Sequence, residues 1–314
     1  MTAANRPALL QLTRELLRGE GFEISDDVDT KNLAFDLMAR DKDRLLIIKA
    51  LSNVDGATIT STNELKILAS FLKGVPMIIA ERATRYDLER GVLYLRYGIT
   101  IMSFDTMNDV LVEHVPPVAY SASGGLYVEV DGEKIKGLRE ASGLSIGDMA
   151  RALGVTRKSV QMYESGRSAT IDIGLKMEEF FKAPLIIPLD PFSYDTSIQQ
   201  VRNEMAILSP EEKDVFSHLQ SIGYDVTPTN RCPFNAFTHK DTSVILTAVG
   251  DLNARVRKRL KALHNISDIS KKDALFVSNK ASISLSEIDV PVIKRERLKK
   301  IEDPEEIMDI VKGR

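Results

Sequence analysis

Residues 138–163 read LREASGLSIGDMARALGVTRKSVQMY, the order of two short helices joined by a tight glycine turn. Ser145 stands as an N-cap after Leu144, and Met149, Ala150 and Leu153 recur at helical spacing, which predicts an apolar face on a helix of about nine residues. Gly154 ends that helix, because a residue without Cβ takes the left-handed conformation that turns the chain sharply. Val155 is expected to fill the angle between the helices and Thr156 to cap the second one, which starts at Arg157. Val160 and Tyr163 then face inward, with Ser159 small enough for close approach. Arg157, Lys158, Gln161 and Met162 are left on the outer face and N-terminal half, from which such a helix reaches base edges in the major groove. Glu164, Ser165 and Gly166 close it, and Arg167 lies on the loop beyond, where a guanidinium suits a backbone phosphate.

The whole chain carries 42 Lys+Arg against 45 Asp+Glu, a net charge of −3, so any basic footprint is local. Between Arg151 and Arg167 the basic residues are Arg151, Arg157, Lys158 and Arg167 and the acidic one is Glu164, a net +3. That suits a few phosphate contacts and a steep loss of affinity with salt.

From about Gly132 to Ala183, and most specifically in GVTRKSVQMYESGR, the chain resembles the XRE family of helix-turn-helix domains with the lambda-repressor-like fold. The resemblance implies a five-helix bundle in which Arg157, Lys158 and Met162 point at bases while Thr156 and Arg167 lie near phosphates. Many members carry glutamine at the second position of the first helix of the motif, as a phosphate contact; here that residue is Ile146. A bundle of this kind used for protein contact is the alternative reading.

The length of 314 residues allows two or three domains, and 43% hydrophobic with 28% charged residues describes a globular protein with ample core. No apolar run approaches the roughly 18 residues that span a bilayer, and the N-terminus lacks the regions of a signal peptide, so a cytoplasmic protein without membrane partners is expected. The single cysteine, Cys232, leaves no intrachain disulfide and reads as a passive loop residue. His114, His218, His239 and His264 are scattered without metal-ligand spacing, and neither metal nor cofactor is expected.

An internal repeat flanks the helix-turn-helix. Gly21 matches Gly223 and Phe35 matches Phe237, both at an offset of 202. In the first copy, Pro7 opens a helix with an apolar stripe at Leu9, Leu10, Leu12, Leu16 and Leu17. Strands follow at 22–25, 34–39 and 45–51, then a helix from Ser61-Thr62-Asn63-Glu64 to Lys73, a strand at 75–80 and another around 92–102. In the second copy Ser209-Pro210-Glu211-Glu212 is a capping box that starts the domain near residue 208.

This α-β-β-β-α-β order, with Asp36 in LAFDLMA and Lys49 in LLIIKAL, resembles the PD-(D/E)XK nuclease superfamily, particularly its restriction-endonuclease-like and archaeal junction-resolving branches. That motif places a second carboxylate two residues before the lysine, so that two acids hold magnesium while the lysine orients water. Ile47 stands there, with Glu64 on the following helix as a candidate migrated acid. In the second copy Thr238 and Thr247 are read as the counterparts of the aspartate and the lysine. Catalysis is therefore not expected, and Asp36 with Lys49 reads as an inherited cross-strand ion pair. Such domains are expected to mediate dimerisation, or the two copies pack on each other within one chain.

The fold expected is multidomain α/β plus all-α, with a central five-helix lambda-repressor-like bundle between two restriction-endonuclease-like α/β domains. Its parts are residues 1–115, a linker and strand at 116–130, the helix-turn-helix at 131–185, a connector at 186–207 and the second α/β domain at 208–314. Arg255, Arg257, Lys258, Arg259 and Lys261 share a helix and wrap around it, which reads as a solvated helix with phosphate contact as the second option. The whole arrangement resembles archaeal helix-turn-helix transcriptional regulators. The function it implies is sequence-specific binding of double-stranded DNA by a homodimer through Thr156, Arg157, Lys158, Gln161, Met162 and Arg167, with an effector left open. A metal-dependent nuclease using Asp36 and Lys49, or a protein-interaction scaffold, are the alternatives.

Overall fold

The structure, a computed structural model, describes residues 5–26, 33–194, 208–278 and 289–313. These fall into two compact units. One unites Asn5–Ala50 and Gly56–Met77 with residues 208–278 and 289–313, and the other joins Leu51–Asp55 to Ile78–Ser193.

The first half of the former unit opens with α1 (Arg6–Gly19), capped by the Asn5 side chain and with proline in its first turn. Strands β1 (Glu23–Ile24), β2 (Leu37–Arg40) and β3 (Leu45–Leu51) follow in that spatial order, all antiparallel, with Leu37 opposite Ile48. Helix α2 (Ile59–Leu72) starts two residues earlier than the sequence suggests, because Thr58 is the cap and Ser61 its partner in the capping box. It ends on a left-handed Lys73, and β4 (Val75–Ala80) leads out. Gly74 permits the close passage there: a Cβ would stand 2.9 Å from Ile47 Cδ1 and 3.0 Å from the Leu45 carbonyl oxygen.

The second half repeats the order with α8 (Pro210–Ser221), β11 (Asp225–Pro228), β12 (Ala236–Lys240), β13 (Ser243–Gly250), α9 (Ala254–Ser270) and β14 (Asp273–Ser278). It then adds β15 (Val292–Lys294), α10 (Arg295–Leu298) and α11 (Pro304–Val311). Its sheet runs β11-β12-β13-β14-β15, antiparallel up to β13 and parallel after it. Ser209 and Glu212 form the expected capping box.

The register corrects the repeat. Leu37 faces Ile48 in one half and Ala236 faces Thr247 in the other, an offset of 199 and not 202. Phe35 therefore corresponds to Phe234, Asp36 to Asn235 and Lys49 to Ala248. Thr238 and Thr247, bonded to each other at 2.8 Å in the core, match Ala39 and Ile48 and are not heirs of the aspartate and lysine. The chain from Gly21 to Leu37 is three residues longer than that from Gly223 to Ala236, a difference in length that costs little entropy.

The two halves pack on each other within the chain, the second of the two arrangements open from sequence. Phe71 near the end of α2 stacks on Phe237 of β12, ring centroids 4.4 Å apart, and also meets His239. In return Arg40, the last residue of β2, donates from Nε to the Ile269 carbonyl and from Nη2 to the Ser270 carbonyl at the end of α9. The Ala34 amide donates to the Arg231 carbonyl at 2.9 Å and the Asp26 amide to Asn265 Oδ1 at 2.8 Å.

In the other unit, β5 (Val92–Arg96) and β6 (Ile99–Met102) replace the single strand expected at 92–102. Tyr97 and Gly98 both take positive φ between them, the requirement of a tight two-residue hairpin. Then come α3 (Phe104–Leu111), β7 (Ala119–Ala122), β8 (Gly125–Val130), α4 (Gly132–Ala141), α5 (Ile146–Leu153) and α6 (Arg157–Glu164). Strand β9 (Ala169–Thr170), α7 (Ile171–Phe181) and β10 (Ile186–Ile187) complete it. The strand order is β6-β5-β7-β8-β10, with β9 also on β8. Four helices, α4 to α7, occupy the stretch for which a five-helix bundle is expected. Pro184 and Pro188 bracket the next segment and keep it extended, and it pairs with β8 as β10. Among the described residues no helix is long and apolar enough to cross a membrane.

Candidate nucleic-acid interface

Local chemistry builds the α5–α6 pair. Ser145 accepts from the Asp148 amide, and the Asp148 carboxylate returns to the Ser145 amide at 3.0 Å. Those Ser145 contacts, then Arg151, hold the Asp148 carboxyl down at about 2. Gly154 closes α5 at φ 71°, and the hydroxyl of Thr156 caps α6 by accepting from the Ser159 amide at 3.0 Å. Met149, Ala150, Leu153 and Val160 are buried, as their spacing requires. Tyr163 is half-buried, and burial raises its phenol above the ordinary value.

Contacts distant in sequence fix the angle of α6. The Arg139 guanidinium donates to both carboxylate oxygens of Glu164, at 2.5 and 3.2 Å, and to the Leu144 carbonyl at 3.0 Å. Both side chains are about nine-tenths buried. Glu164 holds the guanidinium above its ordinary pKa. At Gly132 a Cβ would lie 2.5 Å from the Gly166 nitrogen and 2.7 Å from the Glu164 and Tyr163 carbonyl oxygens, so α4 begins directly against the end of α6. None of these three determinants was visible from spacing.

All six residues singled out in the sequence, Thr156, Arg157, Lys158, Gln161, Met162 and Arg167, are exposed. The Arg157 side chain lies over the first turn of α5: a Cβ on Gly147 would be 3.1 Å from its Nε and Nη2. A glycine inside an otherwise amphipathic helix was the available signal for that contact. Arg167 is tied by its amide to the Met162 carbonyl at 3.0 Å, which leaves its guanidinium at the surface where the chain leaves α6.

The other candidate centre is assembled on β2 and β3. Asp36 accepts from the Ala50 amide at 2.9 Å, from Lys49 Nζ at 3.2 Å and from Arg6 Nη2 at 2.5 Å. Lys49 also donates to the Leu33 carbonyl at 2.7 Å, and Arg6 to the Ala50 carbonyl at 3.1 Å. Burial pulls the Lys49 ammonium below its ordinary value, against the opposing pull of Asp36. The magnesium implied by the PD-(D/E)XK fold does not fit these residues. Arg6, unforeseen from sequence because it lies 30 positions away, brings a second cation to the carboxylate, and Ile47 is fully buried where a ligand is needed. Among the described residues no three or more His, Cys, Asp or Glu side chains are grouped to hold a metal ion.

The counterpart in the second half is Asn235. Its Oδ1 accepts from the Val249 amide at 2.8 Å and from Arg259 Nη2 at 2.9 Å, while its Nδ2 donates to Glu212. Arg259 also reaches the Pro233 carbonyl at 2.7 Å, so it turns inward while Arg255, Arg257, Lys258 and Lys261 stay exposed on α9. Cys232 is buried beside this network, and burial pushes its thiol far above the ordinary value.

Two segments of the chain match known family models. Residues 6–117 match the PD-(D/E)XK superfamily domain and residues 135–186 the helix-turn-helix family. The chain is 35% identical over 317 residues to an HTH-type transcriptional regulatory protein of Methanocella arvoryzae, covering 98% of this chain and 97% of that one. It is 35% identical to one from Methanocorpusculum labreanum (96% and 97% covered) and 34% identical to one from Thermococcus gammatolerans (98% and 96% covered). No solved structure matches the chain.

Proposed function

The chain belongs to the family of archaeal HTH-type transcriptional regulatory proteins, and from that premise we propose that it reads double-stranded DNA by sequence, with α6 in the major groove. The carrying observation is the outward set Arg157, Lys158, Gln161 and Met162 on a helix whose inner side is buried at Val160 and clamped by Arg139 to Glu164. Arg157 and Lys158 suit guanine O6 and N7, Met162 suits apolar contact with a thymine methyl, and Thr156 and Arg167 suit phosphates. The protein acts as a homodimer on two half-sites one turn apart, the usual route by which a single helix-turn-helix gains affinity. The working division is residues 1–115, 116–130, 131–185, 186–207 and 208–314, with the last a second, degenerate nuclease-like domain.

We assign no catalysis to the PD-(D/E)XK segment: Asp36 already bears Arg6 and Lys49, and its role is structural. Selection of genomic fragments bound by the purified protein near physiological salt tests the reading. An enriched palindrome, bound at least ~10³-fold over bulk DNA, is expected. No enrichment removes the regulator reading. Cleavage of plasmid with magnesium or manganese that Asp36→Ala abolishes removes the structural assignment.

A further inference from the structure

The carboxylate of the nuclease-like centre is set among cations. Arg6 and Lys49 both donate to Asp36 at Oδ1, while the Ala50 amide takes Oδ2. A third cation, Arg231, comes from the other half of the same unit. The Leu33–Ala34 peptide links it to Lys49: its carbonyl accepts from Lys49 Nζ at 2.7 Å and its amide donates to the Arg231 carbonyl at 2.9 Å. The Arg231 side chain is half-buried and lies within electrostatic reach of Lys49. Asp36 and Lys49 are 7% and 15% exposed, whereas the Arg6 side chain is 48% exposed, so the group opens to solvent at Arg6.

Clasping the hairpin does not require this surplus of positive charge. In the second half Asn235 is held by Arg259 on one side and bonded to Glu212 on the other, one cation to one acid. Arg6 also stands at the first position of α1, whose opening turn carries no acidic residue, and the positive end of the helix dipole opposes a cation there. Donors remain for a further acceptor. A guanidinium has five N–H groups, and Arg6 uses Nε on Ala50 and Nη2 on Asp36, with no bond at Nη1 among the described residues. Lys49 uses two of its three ammonium hydrogens. A centre of two carboxylates needs a metal ion to bring in a phosphate, but one carboxylate under two bonded cations attracts the phosphate directly.

We propose that Arg6 and Lys49, with Arg231 beside them, hold a backbone phosphate of bound DNA without a metal ion. Arg6 supplies the positive charge that magnesium supplies in a two-carboxylate centre, and its outer N–H groups take the phosphate oxygens. Asp36 is a positioning residue that fixes the guanidinium from behind, and an asparagine keeps the acceptor oxygen that does so. The inference rests on the reading that the chain binds duplex DNA, and it does not depend on α6 as the reader of bases.

The test compares the full chain with Arg6→Gln, the charge-keeping Arg6→Lys and Arg231→Gln, each with its thermal midpoint recorded. Binding of a duplex of scrambled sequence is followed by anisotropy across salt in EDTA, and inorganic phosphate is titrated by calorimetry. Wild type should bind without metal, Arg6→Gln should lower the slope of log affinity against log salt by about 1, and Arg6→Lys should restore it. A purely structural Arg6 would lower the thermal midpoint and leave the slope as in wild type, which overturns the proposal. So does a duplex affinity that appears only with magnesium. Phosphate heat that Arg6→Gln removes at an unchanged slope assigns the anion to a free compound and overturns the DNA source. Should Arg6→Gln fail to fold, Arg231→Gln decides, since an unchanged slope there overturns the proposal and a reduced one supports it. Arg157→Ala separates the two readings: it alters sequence preference and leaves the slope difference between wild type and Arg6→Gln intact. That slope difference in a chain without any sequence preference would remove the base-reading role and keep this one.

Discussion

The β-hairpins of the two α/β halves are clasped in the same way by different residues. In the first, the side chain of Asp36 takes the Ala50 amide and is held by Lys49 from β3 and Arg6 from α1. In the second, the side chain of Asn235 takes the Val249 amide and is held by Arg259 from α9. The backbone amides of Asp36 and Asn235 reach equivalent carbonyls, those of Ile48 and Thr247, both at 2.8 Å. What the halves share is an acceptor locked to the next strand and to a cation. What they do not share is the negative charge and the strand lysine that metal-assisted hydrolysis needs. The common element is therefore the clasp, and a carboxylate is one of two ways to build it.

Removing the clasp from the first half has the largest expected effect. Asp36→Ala leaves the largely desolvated, half-buried Lys49 without its carboxylate and should cost about 3–5 kcal/mol, seen as a lower urea midpoint. Asn235→Ala should cost less, about 1–3 kcal/mol, because an uncharged acceptor is lost. Asp36→Asn copies the second half into the first and should stay folded, with a midpoint nearer to wild type than that of Asp36→Ala; the reverse order would break the equivalence.

Alkali sharpens the comparison. Tyr224 donates to the Pro304 carbonyl at 2.8 Å and burial pushes its phenol up to about 12, whereas the matching residue of the first half, Phe22, cannot ionise. Because the folded value is raised, its contribution is complete below the ordinary phenol range near 10 and is lost as pH rises through about 12. Amide exchange should then open the C-terminal half before the N-terminal one, and Tyr224→Phe should remove the difference. The smallest effect is at the acid end, in the helix-turn-helix. Asp148 has a lowered carboxyl, so its contribution to α5 is present above the ordinary range near 4 and lost as pH falls through about 2. Carbon NMR of that carboxyl should report a midpoint well below those of exposed aspartates.

The helix-turn-helix was legible because its signals are local. Ser145, Gly154 and Thr156 each act within a few residues, and α5 and α6 begin and end where those residues dictate. The elements of the α/β halves were legible from periodicity and punctuation as well. Their correspondence was not, since two glycines at an offset of 202 hid a hairpin at 199 behind a longer loop. Arg6 on Asp36, Arg139 on Glu164 and the closeness of Gly132 to Gly166 arise only when distant segments meet, and no spacing encodes them. The extended course of the segment after α7 was legible too, from the prolines that flank β10.

The most direct test places wild type, Asp36→Asn and Arg157→Ala on an enriched duplex and on a scrambled one, in magnesium, and follows affinity and DNA integrity together. Arg157→Ala should weaken specific binding by on the order of 1–3 kcal/mol, roughly 5- to 150-fold, while Asp36→Asn binds as wild type and no protein cuts the DNA. Undiminished specific binding by Arg157→Ala, or cutting that disappears in Asp36→Asn, would contradict the division of labour between a DNA-reading helix and a clasped, non-catalytic scaffold.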